Sequence, residues 1–212
     1  MELKLNFNPL KIQAYMMFDI PKEIFEDLKF QSYNYIKNNF SNGLESNYNL
    51  YGAIEREYEL QDTSKLKKLV DAVIPSFFKF HYRDPKNVSI DRAWINFQKK
   101  YEHNPLHNHD GDISFVIWIK IPYNLEEERN VKNVVKSNNF HLETTAFTFY
   151  YTSNYNPKFS GISKHIIQVD KTYEGKMIIF DSCIPHSVYP FYTSDDYRIS
   201  IAGNLKIENS GN

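Results

Sequence analysis

Three histidines stand at positions typical of a metal site. His107 and His109 are two residues apart, and His186 follows a proline in the second half of the chain. In an extended backbone, residues two apart project to the same face, so the first two imidazoles should point to one place. Imidazole nitrogen suits Fe, Zn, Cu or Ni. The pattern therefore predicts a metal site formed by His107, His109 and His186.

Two carboxylates lie directly after the first two histidines. Asp110 and Asp112 could each ligate the metal in place of an imidazole, or orient one. The alternative interpretation of the histidine pair is two ordinary polar residues of a strand. The remaining histidines have no such partners in the sequence, and we interpret them as surface or core residues: His81, His103, His141 and His165.

An arginine near the end of the chain could supply an anion-binding group. His186 lies just past a predicted strand, and a hairpin would bring it onto one inner surface with Arg198 and, by strand alternation, Ser200. A buried arginine needs an anion. A dicarboxylate could bind the guanidinium with one end and chelate the metal with the other. The alternative is a salt bridge to Asp195, Asp196 or Glu208.

The elements that must position these residues are strands preceded by helices. Apolar periodicity predicts one helix over Pro21–Phe40 and a second after Asp62, which Pro75 should kink or shorten. Trp94 and Asn96 share one face of a strand predicted over Ala93–Phe97, where Asn96 could bond a co-substrate or satisfy nearby backbone groups. The other β-rich segments, separated by turn signals, are Ile113–Ile121, Phe140–Thr152, Lys164–Val169, Lys176–Phe180 and Tyr197–Ile207.

This order of elements predicts a mainly β protein with N-terminal helices. Several short strands behind a helical start favour a jelly-roll or barrel-like sandwich. We expect a single domain over residues 1–212, with a strand-helix buttress at 1–90 and a jelly-roll catalytic core at 91–208. The polar insertion at 124–139 is interpreted as a surface loop or short helix, with a lid over the site as the alternative.

Composition excludes several classes of protein. Hydrophobic residues make up 42% of the chain and the formal net charge is -1, which argues against disorder and against a protein that mainly neutralises phosphates. A local basic groove for nucleic acid stays open. A single cysteine, Cys183, allows no internal disulfide. The longest apolar run is too short to cross a bilayer and no secretory signal opens the chain, so we expect a cytoplasmic protein without a membrane partner.

Two stretches of the chain resemble a known family, the 2-oxoglutarate/Fe(II) oxygenases. They are Trp94–Pro122, which contains His107 and His109, and Gly175–Asn204, which contains His186 and Arg198. The similarity is to prolyl-hydroxylase-like members common in phages and bacteria. It implies a double-stranded β-helix, Fe(II), and 2-oxoglutarate that is decarboxylated to succinate as O₂ is activated. In a phage-encoded protein, the location would be the host cytoplasm.

The resemblance also implies roles for individual residues. His186 matches the distal metal histidine and Arg198 the arginine that binds 2-oxoglutarate. From strand alternation, Ser200 and Asn96 are expected as further co-substrate residues. The usual motif is His-x-Asp, whereas position 109 is a histidine. We favour the three-histidine set over Asp110 or Asp112 as third ligand. No catalytic side chain is expected beyond the metal ligands.

The expected activity is a non-haem Fe(II)/2-oxoglutarate dioxygenase that hydroxylates its substrate. Two alternatives from other classes stay open at this point. One is a cupin-like metal enzyme that uses no 2-oxoglutarate, and the other is a β-sandwich binding module whose histidines are structural. The sequence does not identify the substrate, which could be a small molecule or a side chain. Exposed aromatic residues are compatible with a homodimer.

Overall fold

The chain is mainly β in the part that the structure describes. The structure is a computed structural model that describes residues 14–41, 53–81, 84, 86–135, 143–152 and 161–208. His141 and the first residues of the strand expected over Phe140–Thr152 lie outside these ranges. None of the described helices has the length and apolar character needed to cross a bilayer.

The first long helix begins where the sequence places a helix-start signal. Helix α1 spans Lys22–Lys37 directly after Pro21, whose fixed φ angle is compatible with a helix entrance. Its buried face includes Leu28 and Tyr35. The Tyr35 hydroxyl donates a hydrogen bond of 2.7 Å to the backbone carbonyl of Glu59, which ties the helix to the sheet beside it.

The second long helix, α2, spans Ser64–Phe80. The Asp62 carboxylate accepts a hydrogen bond of 2.8 Å from the Ser64 amide, and this satisfies one of the amides that have no partner in a first helical turn. Pro75 was expected to kink or shorten this helix; it does not shorten it, because the helix continues past the proline to Phe80, and the kink stays a prediction. Tertiary packing of its apolar face compensates for the lost backbone hydrogen bond.

Ten strands, two short α-helices and one 3-10 helix (Lys171–Tyr173) complete the described elements. The strands are β1 (Tyr15–Asp19), β2 (Glu57–Glu59), β3 (Val88–Gln98), β4 (Asn104–His107), β5 (Ile113–Lys120), β6 (Phe147–Thr152), β7 (Ile162–Ile167), β8 (Lys176–Asp181), β9 (His186–Val188) and β10 (Arg198–Ile207). The short helices are α3 (Leu125–Arg129) and α4 (Lys132–Val135), and both lie in the polar insertion. The insertion is therefore partly helical, which agrees with its interpretation as a surface loop or short helix.

The strands form two antiparallel sheets. The larger sheet has the order β1-β8-β5-β10-β3-β2, and the smaller has the order β4-β9-β6-β7. Strands β9 and β10 follow each other in the chain but belong to different sheets. The hairpin expected between His186 and Arg198 is therefore wrong, and these residues face each other across the space between the sheets.

The larger sheet is covered on both faces, which explains why β3 is buried without interruption over residues 93–98. Its Ile95 and Phe97 side chains pack in one apolar cluster with residues of α1 and α2, including Leu28 and Val70. A second cluster fills the space between the two sheets, where residues of the smaller sheet such as Phe147 meet residues of the larger. Because strand residues alternate, every second side chain of β3 points away from the helices and toward the smaller sheet.

A glycine on β10 permits the close packing of the larger sheet. A Cβ added at Gly203 would overlap the Phe115 ring and would lie 2.6 Å from the carbonyl oxygen of Arg92. We expect Gly203→Ala to lower the free energy of unfolding by about 3 kcal/mol, the upper end of the usual cost of overpacking. Urea unfolding would measure this change.

Gly161→Ala is the matched control, since no described heavy atom lies within 4 Å of a Cβ added there. Its free energy of unfolding should stay within about 0.5 kcal/mol of the parent. Equal stability of the two variants would show that β10 and β5 do not pack as closely as described.

Candidate metal centre

Three imidazoles converge at one point, two from the ends of paired strands and one from a loop. His107 ends β4 and His186 begins β9, and the two residues are direct partners in the antiparallel register. His109 lies beyond the end of β4. The ring centroids are 4.3 Å apart for His107 and His186, and 5.1 Å from His109 to each of the other two. One possible ligand atom from each residue lies within 4.8 Å of the others, so a small closure of the three rings would let them share one ion.

His109 reaches this cluster by a route that the sequence pattern does not predict. The expectation was that His107 and His109 share one face of a strand, but the strand ends at His107. The chain then turns, and the His109 amide donates a hydrogen bond of 3.0 Å to the carbonyl oxygen of Ser182. The three histidines lie together as expected, but the geometric reason given for their convergence was wrong.

Backbone carbonyls orient two of the three rings. Nδ1 of His107 lies 2.7 Å from the carbonyl oxygen of Pro105, and Nδ1 of His186 lies 3.0 Å from that of Ile184. A carbonyl oxygen only accepts, so each Nδ1 carries the proton and each Nε2 keeps its lone pair. Such partners fix the tautomer and ring orientation of metal-binding histidines.

Burial keeps the three imidazoles neutral. Burial, together with the neighbouring His107, lowers the pKa of His186 to about 3 and that of His109 to about 4. The pKa of His107 is also lowered, mainly by burial. Neutral imidazole is the form that binds a metal, so the cluster needs no deprotonation step near neutral pH.

Neither nearby carboxylate belongs to the cluster. Among the described residues, the group that could hold an ion consists of the three histidines. An oxygen of Asp112 accepts a hydrogen bond of 2.8 Å from the Ile207 amide, so this carboxylate is engaged with β10. Asp110 is exposed, and its charge raises the pKa of His109 against the larger effect of burial.

Aromatic rings surround the imidazoles and limit the access of water. Phe147 stacks on His186 at 5.2 Å with an angle of 20° between the rings, and Phe180 meets the same imidazole edge-on at 5.0 Å. Trp94 lies 5.8 Å from His109. An apolar shell of this kind strengthens electrostatic interactions at the centre.

A cavity between the sheets connects the histidines with the residues predicted to bind a co-substrate. Arg198, Ser200 and Asn96 all line it, together with the three imidazoles. Ser200 and Asn96 are direct partners in the β10–β3 register. The Asn96 side-chain oxygen is buried and has no hydrogen-bond partner among the described residues, so a polar group in the cavity is required to satisfy it.

The Arg198 guanidinium is 3% exposed and is surrounded by neutral acceptors. Its bonds run to the Gln98 amide oxygen (two bonds, 3.0 and 2.6 Å), the Tyr123 hydroxyl (3.2 Å), and the backbone carbonyl oxygens of Thr145 (3.0 Å) and Tyr189 (2.7 Å). The structure describes no carboxylate as its partner. The three acids considered as alternative partners interact with other residues. Asp195 forms an ion pair with Lys100 and Asp196 with Lys120, and the backbone amide of Glu208 donates to the carbonyl oxygen of Asn87.

Gln98 and Tyr123 are site residues that sequence reasoning missed. The alternation that identified Trp94 and Asn96 continues to Gln98, and this signal was lost because the strand was expected to end at Phe97. Tyr123 follows β5 in a short connection, and no local pattern distinguishes it. Of the other described histidines, His165 bonds the Tyr15 hydroxyl at 2.9 Å, away from the centre.

Comparison with known protein families identifies a match over more than half of the chain. Residues 92–204 match the family described as "Putative 2OG-Fe(II) oxygenase". The matched region includes all three histidines of the cluster and Arg198. Comparison with curated proteins gives no match by sequence.

Several solved structures share the fold at low sequence identity. A prolyl-4-hydroxylase from Pseudomonas putida is 9% identical with a TM-score of 0.61, over 92% of this chain and 94% of that chain. A prolyl hydroxylase from Trichoplax adhaerens, in complex with a hypoxia inducible factor peptide fragment, is 11% identical with a TM-score of 0.55, over 91% and 82%. HygX from Streptomyces hygroscopicus, with nickel and 2-oxoglutarate bound, is 8% identical with a TM-score of 0.54, over 92% and 83%.

Removal of one imidazole should abolish metal binding at this centre. Anaerobic Fe(II) should raise the unfolding temperature of the protein, because a ligand that binds the native state stabilises it. His186→Ala should weaken Fe(II) binding by more than about 100-fold, the upper end of the loss seen when only an orienting residue is removed. Its unfolding temperature should then show no rise with Fe(II).

His103→Ala is the matched control, because His103 is an exposed histidine near the site that does not belong to the cluster. It should respond to Fe(II) as the parent does. A normal response of His186→Ala would contradict the assignment of the centre.

Proposed function

The chain belongs to the 2OG-Fe(II) oxygenase family, and from this membership we propose that His107, His109 and His186 hold Fe(II) while Arg198 anchors 2-oxoglutarate. The protein is thus an oxidoreductase that uses Fe(II), 2-oxoglutarate and O₂. The observation that carries the residue assignment is the convergence of three neutral imidazoles in a cavity that also contains a buried guanidinium without a carboxylate partner.

The arrangement of strands supports a double-stranded β-helix for the catalytic core. From β3 onward the chain alternates between the sheets, apart from the β6–β7 pair, which stays in the smaller sheet. We assign residues 91–208 to this core and 1–90 to the buttress within one domain. The shared apolar cluster of α1, α2 and the larger sheet supports a single cooperative unit.

The charge of the site suits a dianion. Three neutral ligands leave the full charge of a divalent ion in place, and Arg198 adds another positive charge in the same cavity. A dicarboxylate places one negative charge on the metal and one on the guanidinium when one end chelates the metal and the other binds Arg198. Asn96 and Ser200 are paired two residues along the register from Gln98 and Arg198 and line the same cavity, where they can hydrogen-bond the co-substrate.

When bound, Fe(II) with 2-oxoglutarate and O₂ supplies the oxidant that attacks a substrate C–H bond. The protein residues hold the ligands, orient the co-substrate and keep water out of the aromatic-lined cavity. Hydroxylation of a small molecule or of a side chain is the reaction that we propose. We also propose a cytoplasmic location, in the host cell if a phage encodes the protein, and a homodimer as the assembly.

One alternative activity has an observation in its favour. A ligand set of three histidines without a carboxylate also fits a cupin-like metal enzyme that uses no 2-oxoglutarate. The saturation of Arg198 by neutral acceptors is compatible with that interpretation too. A non-catalytic β-sandwich does not agree with the family to which the chain belongs.

An anaerobic titration separates the oxygenase from the cupin-like enzyme. Fe(II)-loaded protein should develop a weak visible charge-transfer band as 2-oxoglutarate is added, because the co-substrate chelates the metal. Arg198→Ala should raise the 2-oxoglutarate Kd about 100-fold, which corresponds to about 3 kcal/mol for the loss of a buried charge pair.

Arg129→Ala is the control, since this arginine bonds Gln168 at the surface, outside the cavity. Its titration should match that of the parent. Bound Fe(II) without a band in the parent would favour the cupin-like enzyme, and an unchanged Kd in Arg198→Ala would refute the anchor.

A further inference from the structure

The hydrogen bonds of Arg198 show which of its edges a carboxylate could reach. A guanidinium has five N–H groups, and neutral acceptors bond all three of its nitrogens. Bidentate binding of a carboxylate needs two parallel N–H groups on one edge. In this structure, the co-substrate of the proposed function must therefore replace acceptors that are already bonded.

Two of the acceptors are part of the backbone and cannot leave without moving the chain. They are the carbonyl oxygens of Thr145, which accepts from Nη1, and of Tyr189, which accepts from Nη2. Nη1 also bonds the Tyr123 hydroxyl, which in turn donates to the Val169 carbonyl oxygen at 3.1 Å. The edge formed by Nη1 and Nη2 is therefore built into the fold.

The remaining edge, Nε and Nη2, is bonded by a single side-chain atom. The Gln98 amide oxygen accepts from both nitrogens, at 3.0 and 2.6 Å, so it takes the position that a bidentate carboxylate would take. Gln98 is the direct partner of Arg198 in the β3–β10 register and lines the cavity that contains the histidines. This edge can be vacated by a change of side-chain rotamer alone.

The turn after β3 holds the Gln98 amide in one orientation. Its Nε2 donates to the carbonyl oxygen of Glu102, and the Glu102 carboxylate accepts a hydrogen bond of 2.8 Å from the Lys99 amide. The amide nitrogen is thus bonded to the turn, and the amide oxygen faces Arg198. In this orientation Gln98 offers no donor to a carboxylate at the Nε–Nη2 edge, so it can only compete with one.

We propose that Gln98 is a displaceable occupant of the co-substrate site, which holds the Nε–Nη2 edge of Arg198 until the distal carboxylate of 2-oxoglutarate replaces it. This proposal rests on the proposed function. A carboxylate carries a negative charge and bonds the two N–H groups with two oxygens, whereas Gln98 offers one neutral oxygen, and this difference drives the exchange. The competing amide reduces the apparent affinity for the co-substrate, because the binding-competent state is only partly populated.

Substitutions at Gln98 test the competition by the Kd of 2-oxoglutarate, measured from the visible band of anaerobic Fe(II)-loaded protein. Gln98→Ala removes the competitor and should lower the Kd about tenfold, the effect of one hydrogen bond to a charged group. Gln98→Asn, which is one methylene shorter, should lower it too. Gln98→Glu places a carboxylate on the edge permanently and should raise the Kd by about 100-fold or more.

Gln61→Glu is the matched control for the added charge, because Gln61 is exposed and bonds Tyr35 on the helical side of the protein. It should leave the Kd unchanged. The rise of the unfolding temperature with Fe(II), measured in each variant, reports that the chain is folded and the metal centre is intact. Gln98→Asn keeps the test valid if Gln98→Ala does not fold.

The outcomes distinguish this inference from the function on which it rests. The displacement is supported if the 2-oxoglutarate Kd is lower in Gln98→Ala and Gln98→Asn and higher in Gln98→Glu than in the parent. An unchanged or higher Kd in Gln98→Ala overturns it, and in that case a normal titration of the parent leaves the proposed function intact. A parent that binds Fe(II) but gives no band with 2-oxoglutarate overturns both.

Discussion

The antiparallel pairing of β3 with β10 is the constraint on which the site depends. Its register places Gln98 opposite Arg198 and Asn96 opposite Ser200, so polar side chains of two strands form adjacent rows on one face. A shift of either strand by one residue would turn these groups toward the helices and bring apolar residues into the cavity. The apolar residues between them, which pack against α1 and α2, fix the register and therefore position the polar groups.

The free-energy cost of burying polar groups explains why the buried guanidinium has a hydrogen-bond partner at each of its nitrogens. An unpaired guanidinium inside a protein is expensive, and Arg198 is stabilised by acceptors from separate segments of the chain. The imidazoles avoid the same cost by staying neutral, since burial lowers their pKa values. The cavity therefore keeps one permanent positive charge and three unprotonated nitrogen donors, which suits a metal ion and an anionic co-substrate together.

The sequence predicts the residues of the site better than it predicts how they meet. Alternation along β3 pointed to Asn96, which lines the cavity, and it would have pointed to Gln98 if the predicted strand had been extended by one residue. His109 was assigned from strand geometry, yet it reaches the cluster through a turn bonded to the Ser182 carbonyl, which a local pattern cannot show. Sheet membership likewise depends on long-range pairing, and for this reason the hairpin expected between His186 and Arg198 was wrong.

The central claim is that three histidines from two strand ends and a loop bind one iron ion. Anomalous diffraction at the iron edge, from crystals grown anaerobically with Fe(II), tests it most directly. The account predicts one strong peak, roughly 2.0–2.2 Å from a nitrogen of each of His107, His109 and His186. A peak bonded to Asp110 or Asp112 in place of one imidazole, or a peak elsewhere in the molecule, would contradict it.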